Sequence, residues 1–141
     1  MKRATRSILF IFSLTSVLVL GLSIRAQAKE CTNATVKGLF GFTCEGTIVG
    51  VGPISIVGVE VSDGQGNASG TQTVSLNGQI FSGVSFTEKY TVNPDCTVSA
   101  IVTLADGSTS TSSYVIVENG KEVRGILTDP GTVVSCVIRR Q

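Results

Sequence analysis

No histidine and no tryptophan occur among the 141 residues of the chain. Without histidine, the Ser-His and Cys-His pairs that activate most protein nucleophiles cannot form, and a frequent zinc ligand is missing. A helical periodicity is also missing after Ala28, which excludes a glycine-rich phosphate loop that leads into a helix. These absences leave carboxylates, with tyrosines beside them, as the side chains that could carry chemistry.

Charged residues make up only 15% of the chain, and the one long apolar run, residues 8–22, lies near the amino terminus. Lys2, Arg3 and Arg6 precede that run, and Ala26-Gln27-Ala28 follows it. This order is typical of a secretory signal peptide cleaved after Ala28. A retained membrane anchor is the disfavoured alternative, because the run is shorter than the ~20 apolar residues that a spanning helix needs.

We therefore interpret residues 1–28 as a signal peptide and residues 29–141 as one domain of a secreted or periplasmic protein. Removing the signal leaves seven basic residues against ten acidic ones, a net charge of −3. A domain with this net charge lacks the excess of basic residues that binds nucleic acid, so no nucleic-acid partner is expected.

Four cysteines remain in this domain, namely Cys31, Cys44, Cys96 and Cys136. An exported chain folds in an oxidising compartment, so two disulfides are predicted. A metal site is not expected, because no two cysteines lie close together in sequence and histidine is absent. No cofactor is expected either.

The domain repeats one pattern, in which eight to a dozen residues rich in Val, Ile, Thr, Phe and Ser are followed by a turn. Asn-Gly and Asp-Gly pairs, which tight hairpin turns favour, recur among seven turn signals and separate eight strands. Connections this short make consecutive strands antiparallel neighbours. The sequence thus predicts an all-β, eight-stranded up-and-down barrel, in preference to a two-sheet sandwich, because closure removes both sheet edges.

Closure also predicts which cysteines meet. It places strand one, which contains Cys44, beside strand eight, which contains Cys136. Cys31, before strand one, and Cys96, in the turn after strand four, would lie together at the other end. The predicted disulfides are therefore Cys44–Cys136 and Cys31–Cys96.

The clearest strand lies in residues 80–92, where apolar side chains such as Phe86 and Tyr90 share one parity and polar ones share the other. Glu88 breaks this pattern, because it lies on the apolar parity. One interpretation turns Glu88 inward among Phe40, Phe86 and Tyr90, where desolvation would raise its pKa and make it a candidate general acid or base. The favoured interpretation places it in solvent, near a strand end or at a bulge.

Two strands are apolar on both parities: in one, Val57, Val59 and Val61 alternate with Ile54 and Ile56, and in the other, Val115 and Val117 alternate with Tyr114 and Ile116. In a sheet with one face in solvent, each strand should alternate between apolar and polar residues. Either these strands contain bulges or their outer faces are covered, and self-association is one way to cover them.

Residues 58–70, which read GVEVSDGQGNASG, and residues 87–97, which read TEKYTVNPDCT, resemble a set of short secreted bacterial proteins of unassigned function. Those proteins are similar in outline to the allene oxide cyclase barrel group, within the wider lipocalin-like (calycin) architecture. The resemblance implies a barrel and, for the enzymes of that group, cofactor-free cyclisation of apolar substrates with a buried carboxylate. The secreted set usually has a glycine at the position of Glu88, and true lipocalins have a tryptophan after an early glycine, which Gly38-Leu39-Phe40-Gly41-Phe42 lacks.

Three functions are compatible with these patterns. The first is a binding protein that takes a small apolar molecule into the barrel, with Phe40, Phe42, Phe86 and Tyr90 as candidate ligand-binding residues. The second is a structural or interaction module with a filled barrel. The third is a cofactor-free cyclase or isomerase that uses Glu88.

Overall fold

The computed structural model describes residues 30–141, so the predicted signal peptide lies outside the described part. Eight strands follow one another along the chain. Their bounds are β1 (Gly38–Ile48), β2 (Gly52–Ser62), β3 (Asn67–Leu76), β4 (Gln79–Val92), β5 (Thr97–Leu104), β6 (Thr109–Val117), β7 (Glu122–Leu127) and β8 (Thr132–Arg140). Two short 3₁₀ helices, Asn33–Val36 and Glu118–Gly120, are the helical elements of this part of the chain.

The strands form a closed antiparallel barrel in sequence order, in which β8 returns to pair with β1. The predicted eight-stranded up-and-down barrel is confirmed. Its turns use the predicted residues: at the β3–β4 hairpin, Asn77 and Gly78 both have positive φ, of 48° and 84°. A two-residue turn of this kind matches the twist of the flanking strands and keeps consecutive strands paired.

Alternation along each strand decides which side chains fill the barrel. Even-numbered residues point inward in β1, β2, β5, β6 and β8, whereas odd-numbered residues of β7, such as Val123, point inward. A register shift between Gln72 and Val74 marks an irregularity in the β3–β4 pair. The best-buried large side chain is Phe40, and the other buried apolar side chains include Val98, Ile116 and Ile138.

Two disulfides join the pairs that closure predicts. Cys44 and Cys136 are direct partners in the β1–β8 register, with Cα atoms 4.1 Å apart. Cys31 and Cys96, whose Cα atoms lie 5.0 Å apart, join the amino-terminal segment to the β4–β5 turn. The first disulfide therefore links the strands that close the barrel, and the second fixes the segment at one end.

Residues 30–37, here called the cover segment, lie across that end of the barrel. Asn33 Oδ1 accepts a hydrogen bond from the backbone N–H of Val92 at 2.8 Å, and Val36 is buried. Arg140 donates hydrogen bonds to the carbonyl oxygens of Thr35, Lys37 and Gly120. Its guanidinium carbon also lies 4.8 Å from the centre of the Phe40 ring. The cover segment is thus held by a disulfide, a side-chain amide and a cation.

The outer valines of β2 are neither displaced by a bulge nor covered by another part of the described chain. Val57, Val59 and Val61 remain about half exposed, and the register of β2 with both neighbours is unbroken. The expectation of a bulge in this strand is wrong, since the irregularity lies in the neighbouring β3–β4 pair. Within residues 30–141, no helix is long and apolar enough to cross a membrane.

Candidate functional site in the barrel interior

Two carboxyl groups face each other inside the barrel, from strands that are not direct neighbours. Glu60 on β2 is the register partner of Gly70 on β3, and Glu88 on β4 is the partner of Ala68 on the same strand. The small side chains at these two positions of β3 leave room above that strand. The carboxyl groups of Glu60 and Glu88 can therefore meet across β3.

Glu88 is 8% exposed, so the interpretation that placed it in solvent is wrong. The physical reason is the register: β4 runs without a break from Val84 to Val92 along its inward face, and Glu88 lies between two buried aromatic residues, Phe86 and Tyr90. A glutamate in the middle of such a strand cannot turn outward without moving its neighbours out of the core.

The carboxyl groups of Glu60 and Glu88 lie close enough for a hydrogen bond between them to shift both pKa values, and such a bond requires one of them to carry a proton. Desolvation, followed by the neighbouring Glu60, raises the pKa of Glu88 to about 8. Desolvation also raises the pKa of Glu60 to about 6, although the bond from Glu88 partly offsets it. Glu88 is therefore the donor, and between these pH values the pair holds one proton and one negative charge.

Hydroxyl groups surround this pair. The Tyr90 hydroxyl and Ser62 Oγ form a buried hydrogen bond of 2.7 Å. Burial, and next the charge of Glu88, raise the pKa of Tyr114, so its hydroxyl stays protonated. Ser112 Oγ lies near enough to influence the Tyr114 hydroxyl, but it has no hydrogen-bond partner of good geometry among the described residues. Ser112 is buried in the barrel interior, but it is not among the residues that line the cavity described next.

A small cavity adjoins the carboxyl pair, with a volume of about 30 Å³. Its lining is apolar apart from Glu60, Glu88 and three hydroxyl groups, and the remaining members are Val36, Phe40, Ala68, Val98, Val123 and Ile138. A volume of this size admits one or two water-sized groups, well below the ~300 Å³ or more of most small-molecule sites. Val36 of the cover segment is part of the lining, so that segment separates the cavity from the end of the barrel.

The four candidate ligand-binding residues occupy two levels of the barrel. Phe40 and Tyr90 line the cavity. Phe42 and Phe86 instead pack against each other edge to face, with ring centres 5.7 Å apart. Gly58 and Gly70 make room for these rings, because a Cβ atom there would lie 2.6 Å from Phe42 and 2.8 Å from Phe86. Phe42 and Phe86 thus form a layer beside the cavity and are not part of its lining.

Glu60 is the site residue that sequence reasoning missed. Apolar residues occur on both faces of β2, so the inward parity of this strand could not be read from its alternation. Glu60 shares its parity with Ile54 and Ile56, which are packed against the core. That shared parity was the available signal. No group of three or more His, Cys, Asp or Glu residues suited to a metal ion occurs between residues 30 and 141.

No protein-family model and no curated protein matches this chain. Among solved structures, the chain is similar to a de novo designed fluorescence-activating β-barrel, with a TM-score of 0.53 and 14% sequence identity. The match covers 74% of this chain and 93% of the designed one. At that identity the similarity supports the barrel architecture alone.

Proposed function

We propose that the protein is an exported binding protein that takes a compact small molecule into the barrel, where the Glu60–Glu88 pair holds the polar end of that molecule. The observation that carries this proposal is the pair itself. Two carboxyl groups are kept in an apolar interior with raised pKa values, which lowers stability at neutral pH. Strongly perturbed carboxyls in a cavity are a recognised mark of functional sites.

A barrel that served only as a filled scaffold would gain from apolar residues at these positions, since buried ionisable groups are often replaceable by apolar ones without loss of stability. The cavity volume limits what can bind: about 30 Å³ accommodates the head of a ligand, and a larger molecule requires the cover segment to move. The two disulfides and the predicted signal peptide support export to an oxidising compartment.

A panel of compact fragments, sorted by head group, tests this proposal through the melting temperature of the exported chain. A fragment present at a hundred times its dissociation constant should stabilise the fold by about 2.7 kcal/mol. The Glu60→Gln/Glu88→Gln double variant should lose that stabilisation, whereas Glu45→Gln, which alters an exposed glutamate of β1, should keep it. Equal stabilisation of the double variant, or no response to any fragment, would rule out a ligand site at the pair.

Acid–base catalysis is the second candidate, and the pKa of Glu88 near 8 favours it, because a carboxyl that holds its proton at neutral pH can donate it to a substrate. The resemblance to the allene oxide cyclase barrel group points to cofactor-free cyclisation or isomerisation of an apolar substrate. Deuterium exchange at the carbon next to the carbonyl of a small cyclic ketone provides the test. Exchange that is catalysed by the natural chain and lost in Glu88→Gln would support catalysis, and exchange equal in both would refute it.

A further inference from the structure

Strand β4 extends past its neighbour β5 at the end of the barrel opposite the cover segment. The β4–β5 ladder begins where Phe86 pairs with Leu104, which is the last residue of β5. Residues 79–85 of β4, here called the free edge, therefore have β3 on one side and no strand partner on the other. The barrel is closed along its middle, but it leaves one strand edge open at this end.

The β5–β6 turn, which follows β5 at this end, does not cover the free edge. It folds back on itself, because the backbone N–H of Leu104 donates to the carbonyl oxygen of Ser108 at 2.9 Å. Asp106 likewise accepts from the backbone N–H of Ser108. Within residues 30–141, the hydrogen bonds of the free edge are those of its ladder with β3.

Other gaps between strands at this end are short, and single backbone bonds close them. The N–H of Thr128 donates to the carbonyl oxygen of Thr111, between β7 and β6, at 2.9 Å. The N–H of Val49 donates to Gly131 at 2.8 Å and joins the β1–β2 turn to the β7–β8 turn. The free edge is thus the longest run of unpaired strand in the described chain.

The composition of the free edge does not protect it against pairing with another strand. Natural sheets often blunt exposed edges with charged residues or proline, and residues 79–85, which read QIFSGVS, contain neither. Ile80 and Phe81 lie on opposite faces of the strand, yet they are 63% and 46% exposed. The register shift lies on the β3 side, between Phe81 and Val84. An apolar and uncharged edge of this kind is suited to accept an added strand.

The unpaired backbone decides which partner fits. A lipid surface would cover Ile80 and Phe81, but it offers no hydrogen-bond partner to the backbone N–H and C=O groups beside them. An added strand satisfies the backbone groups and covers the side chains together. The same edge of a second copy supplies such a strand, because two identical edges related by a two-fold axis run antiparallel and are self-complementary. No charge in residues 79–85 opposes this approach.

We propose that the free edge of β4 pairs antiparallel with the free edge of a second copy and forms a two-fold dimer. Pairing uses the open edge of both copies, so the assembly closes at two chains and does not extend into a fibre. This inference is independent of the interior carboxyl pair. It also places self-association at the edge of β4, away from the exposed outer valines of β2.

Analytical ultracentrifugation of the exported chain, from about 1 µM to about 1 mM, tests the proposal, because an interface of modest area binds weakly. The natural chain should pass from monomer to dimer within this range. Ile80→Lys should raise the dissociation constant at least about tenfold, since the two lysines would repel each other across the axis. Val59→Lys is the matched control: it changes a similarly exposed residue, 49% exposed on the outer face of β2, and should dimerise like the natural chain.

A charge exchange at the same position shows whether two copies of the edge face each other. If the axis passes at Ile80 or Phe81, Ile80 lies opposite or diagonal to its counterpart, within reach of long side chains. Ile80→Lys and Ile80→Glu should each remain monomeric with an unchanged circular dichroism spectrum, and their equimolar mixture should form the dimer again. A mixture that stays monomeric would overturn the pairing, as would a natural chain that is monomeric throughout. A dimer that Val59→Lys weakens and Ile80→Lys does not would place the interface on β2 and would overturn it too.

Amide hydrogen exchange makes the same test on the natural chain, without a substitution. Amides of residues 79–85 that point away from β3 should exchange quickly in dilute solution and become protected as the dimer forms. Exchange that is independent of protein concentration would contradict the proposal. Protection that appears only when phosphatidylcholine vesicles are added would identify a lipid surface as the partner and would overturn the dimer.

Discussion

Replacing Glu88 by glutamine should make the protein more stable at neutral and alkaline pH. The folded-state pKa of Glu88 is raised from 4.5 to about 8, so its contribution to stability is fully present below pH 4.5 and is lost as the pH rises through 8. Each unit of pKa difference corresponds to about 1.4 kcal/mol. The contribution of Glu88 to the free energy of unfolding therefore falls by at most about 5 kcal/mol between pH 4 and pH 9. Glutamine has the same shape and does not titrate, so it avoids this loss.

Urea unfolding from pH 4 to pH 9, followed by far-ultraviolet circular dichroism with the disulfides intact, measures the effect. The natural chain should lose stability by up to about 1.4 kcal/mol per pH unit relative to Glu88→Gln between pH 5 and pH 8. The two chains should differ by no more than about 1 kcal/mol at pH 4. Carboxyls with lowered pKa values, such as Asp63 and Asp129, contribute with the opposite sign, but they are common to both chains and cancel in the difference.

Glu45→Gln is the matched control, because it makes the same chemical change at an exposed position of β1. Its stability curve should run parallel to that of the natural chain at every pH. Parallel curves for Glu88→Gln as well would show that Glu88 titrates as an ordinary carboxyl, and would refute the buried pair as described.

Three further predictions follow from the same contacts. Glu60→Gln should lower the pKa of Glu88 but leave it above 4.5, because desolvation is the larger cause of the shift. An unchanged pKa of Glu88, measured by NMR of its carboxyl carbon, would contradict this expectation. Replacing Cys44 and Cys136 together by serine should cost about 4 kcal/mol, from the loop of 92 residues that this disulfide closes, and a loss below 1 kcal/mol in urea unfolding would argue against a stabilising cross-link. Arg140→Ala should speed amide hydrogen exchange in the cover segment without changing the centres of the strands, whereas uniform acceleration would show a global effect instead.

The sequence alone determined the architecture, because the barrel depends on local signals. Positive-φ pairs such as Asn77-Gly78 specify the hairpins, and period-two alternation in strands such as β4 specifies the inward face. Eight strands joined by short turns would leave two unpaired sheet edges unless the sheet closes into a barrel. Closure then places Cys44 beside Cys136. Each of these steps needs only neighbouring residues and the count of strands.

Only the tertiary structure decided the site. Glu60 and Glu88 lie 28 positions apart, and they meet because the register sets Gly70 and Ala68 between them on β3. This contact cannot be predicted from the sequence of β2, because valines on its outer face and isoleucines on its inner face leave no alternation of apolar and polar residues. The cavity likewise depends on how Phe40, Val36 and their neighbours pack in three dimensions. Local periodicity says which face a residue joins, whereas register and packing volume decide what that residue touches.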